Sequence, residues 1–277
     1  MSTPPPPVVL TIAGFDPSSG AGITADLKTI SALNCYGVSC ITALTVQNTQ
    51  GVRHVEPVSS GILREILQAL LEDFHLSAIK IGMLATADIA ASVADFLETL
   101  PHPHCPVVLD PILCASSGAS LLEPAAIELL RTRLLSLATV VTPNRAEAAI
   151  LTGLPIAAPE AQAEALRQLG ALSAVVTGGD SIAGEHGSNA DCSSDVLAYS
   201  LQSMDFVETL SAPRIQSQAT HGTGCAFSTA IACSLAHGRS IPQSVTSAKA
   251  FVRRAIQLAP GLGKGKGPLG LERAGQE

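Results

Sequence analysis

Along the chain, short runs of aliphatic and β-branched residues alternate with longer segments whose apolar positions return every three or four residues. "VVLTIA" (8–13) reads as a buried strand, and the following segment (21–34) places Ile23, Leu27, Ile30 and Leu33 on one helical stripe. The same test predicts strands at 38–46, 78–82, 106–110, 137–142 and 174–179. Helices are predicted at 60–74, from a Thr86 cap to about Leu100, at 123–135 with a proline in the first turn, and in two segments closed by Gly153 and Gly170. Residues 195–201 and 205–212 read as an antiparallel pair at a sheet edge, and two helices follow residue 221. This rhythm predicts an α/β fold: a mainly parallel central sheet with helices on both faces. No linker divides the pattern, so residues 1–277 are expected to form one domain, with a flexible Pro-rich tail at 1–7 and a mobile polar loop at 180–195.

Composition narrows the possibilities. Apolar residues make up 47% of the chain and aromatics only 3%, so the core must be aliphatic. A net charge of −7 argues against a nucleic-acid groove or an anionic membrane surface as the main partner. The segment "GCAFSTAIACSLAHG" is too short and too interrupted by small polar residues to span a bilayer. "MSTPPPPVV" lacks the charged and apolar regions of a signal peptide. Seven cysteines without a C-x-x-C pair read as free thiols in a reducing cytoplasm.

In open sheets of this kind, ligands gather at the carboxyl ends of the strands. There the sequence concentrates its unusual residues: "GFDPSSGAG", "TVQNTQG", "KIGML", "LDPILCASSG", "TPNRAE", "TGGD" and "THGTGC". None is a dinucleotide or P-loop signature. In "HGTGC", Gly222 and Gly224 permit close backbone approach and Thr223 and Cys225 begin a helix, an arrangement suited to a phosphate oxygen; the alternative is a tight turn before a helix. The helix end should lower the Cys225 thiol pKa, leaving it to attack, accept a proton or simply pack. Asn144 and Glu147 present oxygens that suit Mg2+, or form a capping arrangement. Asp110 is a metal-linked carboxylate or a turn former. Gln47 reads the edge of a nitrogen heterocycle or serves its turn. Asp26 is either solvated or bonded to a ligand.

These motifs occur in order, together with "SAPRI", "SAKAFVRRAI" and "GKGKGP". In this the chain resembles the hydroxymethylpyrimidine/phosphomethylpyrimidine kinases of thiamine biosynthesis, in the ribokinase-like superfamily, over nearly its whole length. The resemblance implies two ATP-dependent phosphorylations, of 4-amino-5-hydroxymethyl-2-methylpyrimidine and then of its monophosphate. It implies that Gln47 reads the pyrimidine and that Gly14, Asp26, Val46 and Met83 line its pocket. Asp110, Asn144 and Glu147 would organise Mg2+, and Gly222–Cys225 would form the anion hole, with Cys225 in the place of an aspartate base in sugar kinases. Thr177, Gly179 and Lys249 would contact ATP, and the chain would be a homodimer.

Two departures stand out. Ser116 and Thr177 occupy positions where the family has lysine, and Ala119 and Asp180 also differ from its pattern. Arg145, Lys249, Lys264 and Lys266 are the candidate replacement cations, and the second phosphorylation would suffer most from the loss. The competing readings are a pyridoxal kinase, a retired kinase that only binds a pyrimidine, and a generic sugar kinase.

Overall fold

β1 (Val8–Phe15) runs through the middle of the sheet with Val9, Leu10 and Ile12 fully buried. A strand covered on both faces carries apolar side chains at successive positions, which is why the run is continuous. The computed structural model describes residues 4–100, 105–114, 121–179 and 191–276. After β1 come α1 (Gly22–Ala32), β2 (Tyr36–Asn48), β3 (Gly51–Pro57), α2 (Ser60–Asp73), β4 (Leu76–Ile81), α3 (Ala87–Glu98) and β5 (Val107–Leu109). Next are α4 (Pro124–Leu129), a π-helical turn (Leu130–Leu134), α5 (Leu135–Leu137), β6 (Val140–Val141), α6 (Arg145–Thr152), α7 (Pro159–Gln168) and β7 (Ser173–Val176). The chain closes with β8 (Cys192–Leu201), β9 (Met204–Pro213), α8 (Thr223–Ala236), α9 (Ile241–Gln257) and α10 (Leu271–Ala274).

The strands form one sheet in the order β3-β2-β1-β4-β5-β6-β7-β8-β9. The six from β2 to β7 are parallel, whereas β3 pairs antiparallel with β2 at one edge and β8–β9 extend the other edge antiparallel. One face is covered by an aliphatic core that includes Leu63, Val93, Leu130 and Leu166; the other is covered by Ala226, Ile231, Val245 and Phe251 of α8 and α9. The parallel sheet with helices on both faces and an antiparallel edge pair is the architecture the periodicity predicts.

Local signals placed several boundaries well. The Thr86 side chain accepts from the Ile89 N–H and opens α3, and Gly153 closes α6 at φ 75°. Other boundaries differ. β3 was not anticipated, because "GVRHVEP" is a largely exposed edge strand without an apolar run. The helix expected to end at 135 continues to Leu137, which shortens the following strand to Val140–Val141. β8 begins at Cys192, so the last four residues of the expected 180–195 loop are strand; residues 180–190 lie outside the described residues.

Candidate active site

The turn before α8 is built from close backbone contacts. Gly222 holds φ 80°, and a Cβ there would meet the Gly20 carbonyl oxygen at 1.9 Å. A Cβ on Gly20 would in turn meet His221 Cδ2 at 2.2 Å. The 16–22 loop and the 220–225 turn therefore interlock. α8 has no side-chain cap and no acidic residue in its first turn. The opening N–H groups of a helix have no intrahelical acceptor, so Thr223, Gly224 and Cys225 present donors to an anion at the rim.

Beneath this turn lies a buried charge network. Asp26 is fully buried and accepts hydrogen bonds from Thr11 Oγ1 (2.6 Å), Lys80 Nζ (2.9 Å) and Thr229 Oγ1 (2.8 Å). It is neither solvated nor open to a ligand, which corrects the expectation that it lines the pyrimidine pocket. Lys80 is also fully buried. Burial alone would pull its pKa down, but the charges of Asp26 and Asp110 and the hydrogen bond to Asp26 outweigh that and raise it. A Cβ on Gly82 would lie 2.8 Å from Lys80 Nζ, so this glycine leaves room for the ammonium.

Cys225 reverses its expectation. Only 6% of it is exposed, and burial pushes the thiol up to about 12 despite the opposing charge of Lys80. The helix end does not overcome desolvation, and the nearby Asp26 and Asp110 raise the pKa further. The residue is a protonated thiol at neutral pH.

Asp110 lies at the end of β5, accepts from Ser228 Oγ (3.1 Å), and would be 3.7 Å from a Cβ on Gly224. Burial pushes its pKa up to about 6, with Lys80 and Ser228 pulling the other way. The folded value exceeds the ordinary ~3.9 of aspartate, so the folded state binds the proton more tightly and loses stability as pH rises from about 4 to 6. Asp110→Asn is expected to raise the unfolding free energy at pH 7.5 by about 1–3 kcal/mol. It should also flatten stability between pH 4 and 6. Urea unfolding of both proteins across that range reads this; equal or lower stability of the variant at pH 7.5 would count against it.

Gln47 reaches the same rim. Its amide nitrogen lies 3.1 Å from His221 Nε2, and its oxygen accepts from Thr45 Oγ1 at 3.2 Å. His221 Nε2 is 2.8 Å from Asp16 Oδ2. Burial would raise the Asp16 pKa, but hydrogen bonds from His221 and Ser18 outweigh it, and the net shift is downward. Gly14 and Met83 pack against one another: a Cβ on Gly14 would meet Met83 Cε at 2.5 Å. The Val46 side chain, next to Gln47 on a strand that alternates faces, is 54% exposed. The pairing with β3 shifts register between Val46 and Gln47.

Asn144 and Glu147 form a reciprocal capping box at the start of α6: Glu147 N–H donates to Asn144 Oδ1 and Asn144 N–H to Glu147 Oε2, each at 2.9 Å. Glu147 Oε1 also accepts from the Leu113 N–H at 3.3 Å, which ties the loops after β5 and β6. Among the described residues, no group of three or more His, Cys, Asp or Glu side chains could hold a metal ion. The oxygen donors of Asp110, Asn144 and Glu147 suit Mg2+ held through its waters, a mode this ion favours.

Farther along the rim, Thr177 bridges to Asn144, and Gly178 N–H donates to Asp195 Oδ1 at 3.0 Å. Lys249 Nζ pairs with Asp195 Oδ2 at 2.6 Å, and the Gly179 carbonyl accepts from Arg214 Nη1 at 2.6 Å. A Cβ on Gly178 would lie 3.4 Å from Arg145 Nη2. Thr177, Gly179, Lys249 and Arg145 thus share one region, joined by Arg214. Lys264 and Lys266 instead sit against the β2–β3 turn, and β2 is five strand spacings from β7. That is about 24 Å, too far to replace a cation beside β7. Ser116, Ala119 and Asp180 lie outside the described residues.

The phosphomethylpyrimidine kinase family description matches residues 16–270. The chain belongs to this family. It is 43% identical over 268 residues to the hydroxymethylpyrimidine/phosphomethylpyrimidine kinase of Rhizobium meliloti, covering 95% of this chain and 96% of the relative. Among solved structures, pyridoxal kinase from Staphylococcus aureus in complex with AMP-PCP and pyridoxal superposes with a TM-score of 0.81 at 32% identity, covering 96% of this chain and 94% of the other. Phosphomethylpyrimidine kinase from Clostridium difficile gives 0.75 at 34% identity, with 90% and 99% coverage.

For this member of the phosphomethylpyrimidine kinases, sequence reasoning passed over Lys80, His221, Asp16, Ser228 and Arg214. Lys80 left a legible signal: a lysine within the otherwise apolar strand "AIKIG" must either reach solvent or find a buried partner. Asp26 gave the matching signal, standing at the i+3 position between buried Ile23 and Ile30. The His221 contacts carried no local signal, because Asp16 is 205 positions away.

Proposed function

We propose that the chain transfers phosphate from ATP first to 4-amino-5-hydroxymethyl-2-methylpyrimidine and then to its monophosphate, in thiamine biosynthesis. The observation that carries this reading is the uncapped Gly222–Cys225 turn opening above Asp110, in a chain whose family is that of phosphomethylpyrimidine kinases. ATP as donor is supported by the nucleotide analogue in the related pyridoxal kinase.

In the first transfer, the hydroxymethyl oxygen forms a bond to the γ-phosphorus as the bond to the β–γ bridging oxygen breaks and ADP leaves. Such transfers depend on position and on charge stabilisation more than on covalent help. The N–H groups of Thr223, Gly224 and Cys225 stabilise the charge on the transferring group. Gln47 holds the heterocycle through its amide, against a wall formed by Gly14 and Met83. Thr177, Gly179, Lys249 and Arg145 receive the nucleotide. Asp110, Asn144 and Glu147 would hold Mg2+, which would supply charge neutralisation for the phosphates. A loose transition state leaves the substrate proton on oxygen until late, when it passes to an oxygen of the transferred phosphoryl group and from there to solvent, so a protonated Cys225 serves as an orienting wall rather than a base. The chain works as a cytoplasmic homodimer in this reading.

The protonated thiol has a direct consequence. Iodoacetamide at pH 7.5 is expected to alkylate exposed Cys114 quickly and Cys225 at least about 100-fold more slowly. Peptide mass spectrometry over time reads both; comparable rates would contradict the buried thiol.

Pyridoxal kinase activity is the second reading, favoured by the 0.81 TM-score to the S. aureus enzyme. One assay separates the two: ATP- and Mg2+-dependent phosphorylation, with pyrimidine mono- and diphosphate resolved and pyridoxal run in parallel. Formation of both pyrimidine phosphates is the expected result. Monophosphate alone limits the chain to the first step, pyridoxal phosphate alone selects the second reading, and no product of either kind rejects both.

A further inference from the structure

At the amino end of β2, on the opposite edge of the sheet from the transfer turn, two cysteines and a histidine converge. Cys35 ends the α1–β2 loop, Cys233 lies in the last turn of α8, and His237 caps that helix. Cys233 and His237 stand four positions apart and so share one helix face. His237 Nε2 is 3.0 Å from the Leu33 carbonyl oxygen and 3.4 Å from Cys35 Sγ. A carbonyl only accepts, so Nε2 carries a proton and meets the sulfur as a donor. The Cys233 thiol is a second hydrogen-bonding group on Cys35.

These neighbours favour a thiolate at Cys35. The hydrogen bond from Cys233 and the charge and hydrogen bond of His237 outweigh burial and bring the Cys35 thiol down to about 7. The bond to Cys35 and burial raise Cys233 instead. Cys40 and Cys105 form the contrast, since burial pushes each of them up to about 11. Cys40 Sγ meets the Leu63 carbonyl at 3.8 Å, an oxygen that offers sulfur no proton. Access follows the same order. Cys35 is 8% exposed, between the exposed residues Asn34 and Tyr36 and beside exposed His237, whereas Cys233 is 1% exposed. One sulfur thus lies at the edge of solvent with the other directly behind it, the arrangement of an attacking thiol and a resolving thiol.

We infer that Cys35 is an oxidation site for hydrogen peroxide, with Cys233 as the thiol that closes it to a disulfide. Cys35 first gives its proton to solvent. Its thiolate attacks one peroxide oxygen; the S–O bond forms as the O–O bond breaks, and the departing hydroxide takes a proton from solvent. Cys35 is then a sulfenic acid, oxidised by two electrons. Next the Cys233 sulfur attacks the Cys35 sulfur; the S–S bond forms as the S–O bond breaks, and hydroxide leaves as water with the Cys233 proton. Two thiols and one hydrogen peroxide become one disulfide and two waters. The His237 N–H holds the attacking sulfur as thiolate. This chemistry is independent of phosphoryl transfer, because none of its residues belongs to the rim at the carboxyl ends of the strands.

The test is oxidation of the reduced full chain by hydrogen peroxide at pH 7.5, with remaining thiols blocked at intervals and each cysteine located by fragmentation mass spectrometry. The wild type is expected to form a Cys35–Cys233 link that dithiothreitol reverses. Cys35 should be consumed at least about 10-fold faster than Cys40 or Cys105 in the same molecules. In Cys233→Ser the sulfenic acid should persist at Cys35 and be trapped by dimedone. In His237→Phe the consumption of Cys35 should slow by about 10-fold, as loss of a hydrogen bond to a charged group implies. Equal melting temperatures establish that the variants are folded, and the comparison among the wild-type thiols needs no variant. Oxidation of Cys35 no faster than that of Cys40 and Cys105 overturns the site. Oxidised Cys35 without a link to Cys233, or no trapped adduct in folded Cys233→Ser, overturns the resolving step. An unchanged rate in folded His237→Phe overturns the donor that the geometry assigns.

Discussion

Lys80→Met is expected to lower the unfolding free energy by about 3–5 kcal/mol, because it leaves the Asp26 carboxylate charged and without its counterion in a fully buried position. The side chains are of similar length, so the loss is electrostatic rather than volumetric. Asp26→Asn alone strands the ammonium of Lys80 and should cost a similar amount. The double variant Asp26→Asn/Lys80→Met buries no net charge and is expected to recover more than about 2 kcal/mol relative to the sum of the single losses. It should not recover everything, because the hydroxyls of Thr11 and Thr229 also donate to Asp26. Urea unfolding of the four proteins closes the cycle. Additive losses would mean that the two groups are not coupled. Activity should fall with the single variants too, since Thr229 belongs to α8 and its bond to Asp26 fixes that helix over the sheet.

Gly222→Ala is expected to lower kcat/KM for the pyrimidine by about 100- to 1,000-fold, the range seen when one donor to a developing anion is removed. The added methyl would lie 1.9 Å from the Gly20 carbonyl oxygen, a backbone atom that cannot swing away. The turn must shift, and the N–H groups of Thr223 to Cys225 shift with it. Gly238→Ala is the control. Its φ of 78° is nearly that of Gly222 at 80°, but nothing lies within 4 Å of the Cβ it would gain. It should carry only the conformational cost of about 1–2 kcal/mol and retain activity. Steady-state kinetics on both variants separates the contact from the backbone angle; equal losses would assign the effect to the angle alone.

The parts of this protein that were legible beforehand are those written in local pattern. Continuous apolar runs gave the buried parallel strands, and Thr86 and Gly153 marked helix ends, because a cap is a bond between neighbours in the chain. β3 escaped because an edge strand facing solvent needs no apolar period. The capping box at Asn144 and Glu147 was open to two readings from spacing alone, and the structure shows the capping bonds in place. Cys225 was misjudged in direction: sequence reveals the helix end but not the burial that overrides it. Lys80 and Asp26 meet only because the strand and helix that carry them pack together, 54 positions apart.

The fastening of α8 to Asp26 and to the 16–22 loop has a temporal side. Thr229 follows Asp26 by 203 residues, and His221 follows Asp16 by 205. At a synthesis rate of about 5–20 residues per second, the ribosome needs roughly 10–40 s to supply the cover for the buried pair. For the last 149 of those residues, from Lys80 to Thr229, the nascent chain holds Asp26 and Lys80 without their lid, and the transfer turn forms only as residues 220–225 are added. Catalytic competence therefore arrives only once α8 has been made, and a message cut short before Thr223 would yield no partially active enzyme.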